Sequence, residues 1–212
     1  MIYTYAADLR NLKDPKRYPD LLTGLSENKV TEILGHRNSN DRILTLGTAL
    51  LFKEILSRHN ISIDDSFPEM SKRSSGENIF FCFSNSKNMV ICSFGSKETG
   101  CNIEKMDEMP KSLSMQYFSR KERKYLESFN EKDANFEFYR LLTLKESFLN
   151  MSGDPRLKSI KNYEIIIDED IELYKEGQLE ECWFEEYTIP GYRISVCAKE
   201  NDFSELIFIS VS

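Results

Sequence analysis

The chain has 212 residues, 40% of them hydrophobic and 14 of them Phe, so it has the apolar material for a packed core and is not predicted to be disordered. Its formal net charge of -7 disfavours nucleic acid as a partner, because an acidic protein repels phosphate backbones. Five Cys without a CxxC pair, with only two His, argue against a zinc site. Reduced, buried thiols are typical of a cytoplasmic protein.

The N-terminal segment carries charge within its first eight residues and has no apolar stretch of the kind a signal peptide needs. No apolar run approaches the roughly 20 residues that cross a bilayer. We therefore expect neither a secretory leader nor a membrane segment.

Apolar spacing and capping residues predict four helices. Ser26 is the expected N-cap of the first, and Asn40 with Asp41 is expected to cap the second. The helices are predicted over residues 26–38, 41–58, 111–129 and 133–151.

Runs of apolar and β-branched residues, separated by turn signals, predict nine strands, whereas the polar segment 60–77 is predicted to be a loop. The strands are predicted over Ile2–Ala7, 79–84, 89–94, Thr99–Glu104, 163–168, 171–175, 182–189, 192–198 and 205–211.

The chain contains an apparent internal repeat. The decapeptide at 42–51 matches that at 140–149 at five of ten positions, and the strand core MVICS at 89–93 corresponds to ISVCA at 194–198. A chance match of apolar helices is the alternative, but the common order of a helix and a strand favours duplication. The prediction is an α+β fold of two pseudo-twofold-related α/β lobes, 1–100 and 101–212, each a small antiparallel sheet packed on a long helix.

Two segments carry polar side chains in otherwise apolar elements. Asn102 and Glu104 are two apart on a strand and therefore point to one face, and Glu146 lies on the second long helix beside Lys145. Two carboxylates from a strand end and a helix suit Mg²⁺, which is typically bound by carboxylates together with substrate phosphates. The alternative is that Glu104 ends a strand in solvent and Glu146 is an ion-pair partner on a helix face.

Three segments, GCNIEKM (100–106), YFSRKERKYLES (117–128) and LTLKESFLN (142–150), resemble in order and spacing the signature of the Sfp-type 4'-phosphopantetheinyl transferases. The segment PGYRISVCAKE (190–200) is similar to the C-terminal hairpin of that family. The resemblance implies a monomeric, Mg²⁺-dependent transferase that moves phosphopantetheine from coenzyme A to a Ser of an acyl or peptidyl carrier protein. It also implies the fold of two related lobes.

By position in these motifs, the resemblance implies that Asn102, Glu104 and Glu146 bind the metal, that Glu146 is also the catalytic base, and that Lys145 is catalytic. It further implies that coenzyme A phosphates are bound by a set of polar residues in the first half of the chain: Arg37, Arg42, Asn85, Ser86 and Lys87.

The chain departs from the family pattern at Asn102, Asn85, Glu77 and Asn150, which stand where the family has an Asp, a His, a Lys and a Lys. Each change removes either a metal-binding charge or a positive charge beside phosphate. Two alternatives therefore stand beside the transferase: a catalytically degenerate homologue that binds a carrier protein or another partner, and the same scaffold acting on a different phosphorylated ligand.

Overall fold

A computed structural model describes residues 1–62, 72–74, 77–108, 116–153 and 157–211. In the described residues we number four helices and eleven strands, and two short 3-10 helices span Pro19–Leu22 and Leu157–Asn162. The helices are α1 (Glu27–Gly35), α2 (Ser39–Arg58), α3 (Arg120–Glu127) and α4 (Glu131–Ser152). The strands are β1 (Ile2–Asp8), β2 (Lys72–Ser74), β3 (Glu77–Ser86), β4 (Met89–Gly95), β5 (Thr99–Lys105), β6 (Tyr163–Ile167), β7 (Ile171–Lys175), β8 (Gln178–Leu179), β9 (Trp183–Ile189), β10 (Tyr192–Ala198) and β11 (Phe203–Ile209).

Helix termini follow local capping chemistry. Ser26 caps α1 as predicted, by accepting a hydrogen bond from the Lys29 N–H. The predicted cap of α2 is wrong: Asn38 is the cap, so this helix begins two residues earlier than expected. Of the helix predicted over 111–129, residues 111–115 lie outside the described residues, and α3 begins only at Arg120, after a capping box formed by Ser119 and Glu122.

The largest sheet has the strand order β11-β1-β4-β3-β2. Strand β11 is parallel to β1, whereas β4 is antiparallel to β1 and to β3. The last strand of the chain thus joins the sheet built by the first half. The strand at Lys72–Ser74 pairs with β3 and lies within the segment predicted to be a loop, of which residues 63–71 and 75–76 are outside the described residues.

A second sheet has the order β5-β10-β9, and all its pairs are antiparallel. A third consists of β6, β7 and β8. Small, largely antiparallel sheets packed with helices confirm the predicted α+β class. The pseudo-twofold relation and the division at residue 100 stay predictions.

Three hydrophobic clusters define the layers. The first joins α2 to one face of the five-stranded sheet, through residues such as Phe52 and Phe81. The second joins the opposite face of that sheet to β5 and β10, where Ile91, Ile103 and Ile194 are fully buried. The third surrounds α4, α3, β6 and β7. No described helix has both the length and the hydropathy that crossing a bilayer requires.

Gly100 fixes the distance between β5 and α4. A Cβ at this position would lie 2.2 Å from the Met151 nitrogen and 2.2 Å from the Ser147 carbonyl oxygen, both of them backbone atoms of α4. We expect Gly100→Ala to lower the free energy of unfolding by about 3 kcal/mol, because the whole helix must move to admit one methyl group. Urea denaturation monitored by circular dichroism measures this loss.

Gly35, the last residue of α1, is the matched control, because a Cβ built there meets nothing within 4 Å. Gly35→Ala should leave stability unchanged or raise it by up to about 1 kcal/mol, through the better helix propensity of Ala. Equal effects of the two substitutions would contradict the role assigned to Gly100.

Candidate active site

Strand β5 presents two chemically different faces. Cys101 and Ile103 are fully buried in the cluster against the five-stranded sheet. Asn102 and Glu104 alternate with them and therefore face the other way. They pair with Ser195 and Arg193 of β10, and the Ser195 hydroxyl lies 2.8 Å from the Thr143 hydroxyl of α4. The predicted metal-binding residues of β5 thus face α4.

Glu146 of α4 meets this polar face. The pKa of its carboxyl is raised to about 7: burial is the largest cause, the nearby Glu104 carboxylate adds to the rise, and a hydrogen bond from Asn102 partly opposes it. The Asn102 amide oxygen Oδ1 is buried and has no hydrogen-bond partner among the described residues. Since the amide of Asn102 is the donor to Glu146, its oxygen is the atom left without a partner.

Within the described part of the chain, one hydrogen bond reaches the Glu104 carboxylate. The Ser86 hydroxyl donates to Oε2 over 3.1 Å. Burial raises the pKa of Glu104, and the Ser86 hydrogen bond partly offsets this rise. No described Lys or Arg lies within ion-pairing distance of Glu104 or Glu146, so the two carboxylates repel each other without a protein cation to neutralise them.

We call Asn102, Glu104 and Glu146 the carboxylate site. The described residues contain no group of three His, Cys, Asp or Glu that could hold a metal, so two carboxylates and one amide are the donor set here. These are hard oxygen ligands of the kind that Mg²⁺ accepts. The unpartnered, buried Oδ1 of Asn102 and the uncompensated charge of the carboxylates both fit a divalent cation.

Comparison with known proteins matches the same elements. Residues 98–197, which contain β5, α4 and all but the last residue of β10, match the family model of the 4'-phosphopantetheinyl transferase superfamily. The central part of this chain is therefore similar to that superfamily. The predicted resemblance to this family is thereby confirmed.

Curated relatives carry the same family name. The 4'-phosphopantetheinyl transferase ffp of Bacillus subtilis is 32% identical over 133 residues, which are 60% of this chain and 58% of ffp. The transferase Sfp of Bacillus subtilis strain 168 is 26% identical over 178 residues, covering 79% of each chain. The transferase gsp of Aneurinibacillus migulanus is 24% identical over 198 residues, covering 91% of this chain and 82% of gsp. The chain thus spans less than two thirds of ffp but most of Sfp and gsp.

The helix segment LTLKESFLN (142–150) contains a Lys-Glu pair, and the structure separates its two members. Lys145 is fully buried, and its amine donates to Glu122 Oε2 over 2.7 Å and to the Tyr117 carbonyl over 3.1 Å. Burial lowers the pKa of Lys145, and the Glu122 carboxylate opposes this shift. Lys145 therefore points to α3, whereas Glu146 points to β5, and the structure does not bring the predicted catalytic Lys145 to the carboxylate site.

Glu122 lies in the motif segment 117–128, and its structural role was not predicted. Its carboxylate accepts hydrogen bonds from the backbone N–H of Ser119 at 2.7 Å and of Ile165 at 2.9 Å, in addition to Lys145. It is 2% exposed and connects α3, α4 and β6. The sequence signal that could have revealed it is the capping box S-x-x-E at 119–122.

Of the residues predicted to bind coenzyme A, Arg42 is used inside the protein. Its guanidinium forms a two-point ion pair with Asp14, at 2.6 and 2.8 Å, and donates to the carbonyls of His36 and Arg37. The guanidinium holds the pKa of Asp14 well below its usual range. Arg42 is 6% exposed, so the structure gives it a scaffold role, whereas the Arg37 side chain is exposed.

Asn85, Ser86 and Lys87 lie at the end of β3 and in its turn to β4. Asn85 and Lys87 are exposed, and the Lys87 amine lies 3.7 Å from the Asp107 carboxylate. Lys87 also lines a cavity of about 390 Å³ between α2 and this turn, together with Arg10 and Asn40. These positions suit contact with an anionic ligand, except for Ser86, whose hydroxyl contacts Glu104.

Two further polar residues lie near the carboxylate site, and the structural roles of both escaped prediction. Arg193, directly opposite Glu104 on β10, is 4% exposed and forms an ion pair with Glu186, which also holds Arg140 of α4. Asn150, where the superfamily has a second Lys, donates to the Cys101 carbonyl over 2.9 Å and so joins α4 to β5. Both residues hold the elements that carry the site.

Proposed function

We propose that the protein transfers the 4'-phosphopantetheine group of coenzyme A to a Ser hydroxyl of an acyl or peptidyl carrier protein. In this reaction the Ser oxygen forms a new bond to the phosphorus that bears pantetheine. The phosphoanhydride bond of coenzyme A breaks, the adenosine phosphate half leaves, and the Ser proton goes to a base.

One observation carries the proposal. The elements that match the superfamily bring Asn102, Glu104 and Glu146 to one place. Burial destabilises both carboxylates, Glu104 repels Glu146, and no described Lys or Arg neutralises either of them. A site that serves only to hold the fold would pair such carboxylates with Lys or Arg, as the Lys145 and Glu122 pair does. The carboxylate site instead has the properties of a place for an external cation.

These three residues would hold Mg²⁺ through the Asn102 amide oxygen and the two carboxylates. When bound, Mg²⁺ supplies charge stabilisation to the phosphoryl group under attack. Glu146 is also placed to take the Ser proton. Without a metal its pKa is raised to about 7, chiefly by burial, and a bound cation would keep the carboxyl ionised, which is the form that accepts a proton.

The proposal is tested by incubating the protein with coenzyme A, MgCl₂ and a panel of apo acyl and peptidyl carrier proteins, and measuring carrier mass. We expect at least one carrier to gain the mass of one phosphopantetheine group, and the gain to disappear with EDTA. No gain with any carrier, under conditions where a characterised relative modifies the panel, would contradict the proposal.

Asn102→Asp tests the metal assignment directly. The substitution replaces a neutral ligand by a charged one, so we expect Mn²⁺, used as a spectroscopic substitute for Mg²⁺, to bind about tenfold more tightly. Electron paramagnetic resonance of free Mn²⁺ measures the affinity. The metal-free variant should be less stable than the wild type, because a third carboxylate joins two that already repel. An unchanged Mn²⁺ affinity would show that Asn102 is not a ligand.

A second candidate function, a catalytically degenerate homologue that binds a carrier protein, is favoured by a specific observation. Two positions expected to meet coenzyme A phosphates are already engaged inside the protein. Arg42 is paired with Asp14, and Asn150 donates a hydrogen bond to the Cys101 carbonyl. Carrier binding, measured by isothermal titration calorimetry, without mass gain in the transfer assay would support this alternative.

A further inference from the structure

The contact between β3 and β5 is made by side chains. Strand β5 is the edge of its sheet, so alternate backbone N–H groups point away from β10 and need other partners. The N–H groups of residues 101, 103 and 105 donate to side-chain atoms of β3: Cys82 Sγ at 3.3 Å, Ser84 Oγ at 3.2 Å and Ser86 Oγ at 3.0 Å. We call Cys82, Ser84 and Ser86 the side-chain ladder.

The third member of this ladder has an additional contact. Because the Ser86 oxygen accepts the Lys105 N–H, its own hydroxyl hydrogen is free, and it points to Glu104 Oε2 at 3.1 Å. Ser84 shares the backbone contact, to Ile103, but has no carboxylate partner among the described residues. Ser86 therefore joins the backbone of β5 and the carboxylate of Glu104 through one oxygen atom.

The position of Glu104 depends on this hydrogen bond. Its long side chain has three rotatable bonds, and no described cation holds its carboxylate. With Oε2 held by Ser86, the second oxygen is left for another partner, on the side of β5 that faces α4 and Glu146. Ligating carboxylates are commonly oriented by a hydrogen bond from a residue that does not touch the metal.

We propose that Ser86 is a positioning residue of the carboxylate site, which orients Glu104 for a divalent cation rather than binding coenzyme A. This inference rests on the proposed function, because it takes Glu104 as a metal ligand. Ser86 also precedes Lys87 in the turn that borders the cavity beside α2. A ligand bound at that turn and a metal bound by Glu104 would therefore be connected through Ser86.

The experiment compares Ser86→Ala, Ser86→Thr and Ser84→Ala in the full-length protein. Mn²⁺ affinity is measured by electron paramagnetic resonance, and stability by urea denaturation. Ser86→Ala and Ser84→Ala each remove one backbone contact of the ladder, so we expect similar losses of stability. Only Ser86→Ala should weaken Mn²⁺ binding, by about tenfold. Ser86→Thr keeps the hydroxyl and should restore an affinity within about twofold of the wild type.

Two negative results have different meanings. Wild-type protein that binds no Mn²⁺ would overturn the metal assignment of the proposed function, and this inference with it. If the wild type binds Mn²⁺ and both Ser86→Ala and Ser84→Ala bind it equally tightly, only the inference about Ser86 is overturned. Ser86 would then serve only to join the two strands.

Discussion

Replacing Lys145 by Met is expected to lower the free energy of unfolding by about 3–5 kcal/mol, as for other buried ion pairs that lose one partner. Met fills a similar volume, so packing is largely kept. The loss arises because Glu122, 2% exposed, keeps its negative charge without the amine that now lies 2.7 Å away. Urea denaturation at pH 7 measures the change.

The double variant Lys145→Met with Glu122→Gln is the control that separates structure from catalysis. Gln is neutral and keeps an oxygen for the Ile165 N–H, so we expect it to recover at least half of the lost stability. If Lys145 is structural, the folded double variant should transfer phosphopantetheine at a rate within about tenfold of the wild type. If the double variant regains stability but not transfer activity, the result would instead support the catalytic role of Lys145 that the motif implies.

The different fates of Lys145 and Glu146 show where sequence reasoning stops. Helical geometry places adjacent side chains about 100° apart, so the sequence indicates that the two point in different directions. It does not indicate which of them meets β5, because that depends on how α4 rotates over the sheet. Close backbone contact at Gly100 and the Asn150 hydrogen bond set that rotation, and both are contacts between distant segments.

Elements with strong local signals were predicted well. The long apolar helices and most strands lie within a few residues of their predicted bounds, because hydrophobic periodicity and caps are local properties. The prediction of one helix over 111–129 is wrong at Ser119, because a capping box at this residue starts a new helix, although the surrounding residues favour helix. The strand at Lys72–Ser74 forms by pairing with β3, which a polar composition gives no reason to expect.

The sequence allowed us to predict which residues form the carboxylate site, but not which residues surround them. Alternation along a strand places Asn102 and Glu104 on one face, and the family motif adds Glu146. The partners Ser86 and Arg193 come from β3 and β10, whose register with β5 is a tertiary property. The ion pair of Arg42 was missed for a related reason: its partner Asp14 is 28 residues away in the chain.

Glu146→Gln is expected to stabilise the metal-free protein at pH 8 by about 3 kcal/mol while abolishing transfer. In the folded protein burial raises the pKa of Glu146 from 4.5 to about 7, so ionising this carboxyl costs stability that an unfolded chain does not lose. Between these values the folded state holds a proton that the unfolded state has released. Stability therefore falls as the pH rises through this window, and the loss is complete above it.

Gln stays neutral at every pH and still accepts a hydrogen bond from Asn102, so the variant should not show this fall. The difference in unfolding free energy between Glu146→Gln and the wild type should be near zero at pH 4.5 and grow steadily up to pH 8. Urea denaturation in EDTA over this range measures it, with Glu205→Gln, at an exposed position, as the matched control. Added Mg²⁺ should narrow the difference at pH 8, because the ion stabilises only a folded state that binds it, and the carboxylate binds it better than the amide. A difference that is constant with pH would contradict the raised pKa of Glu146 in the metal-free protein.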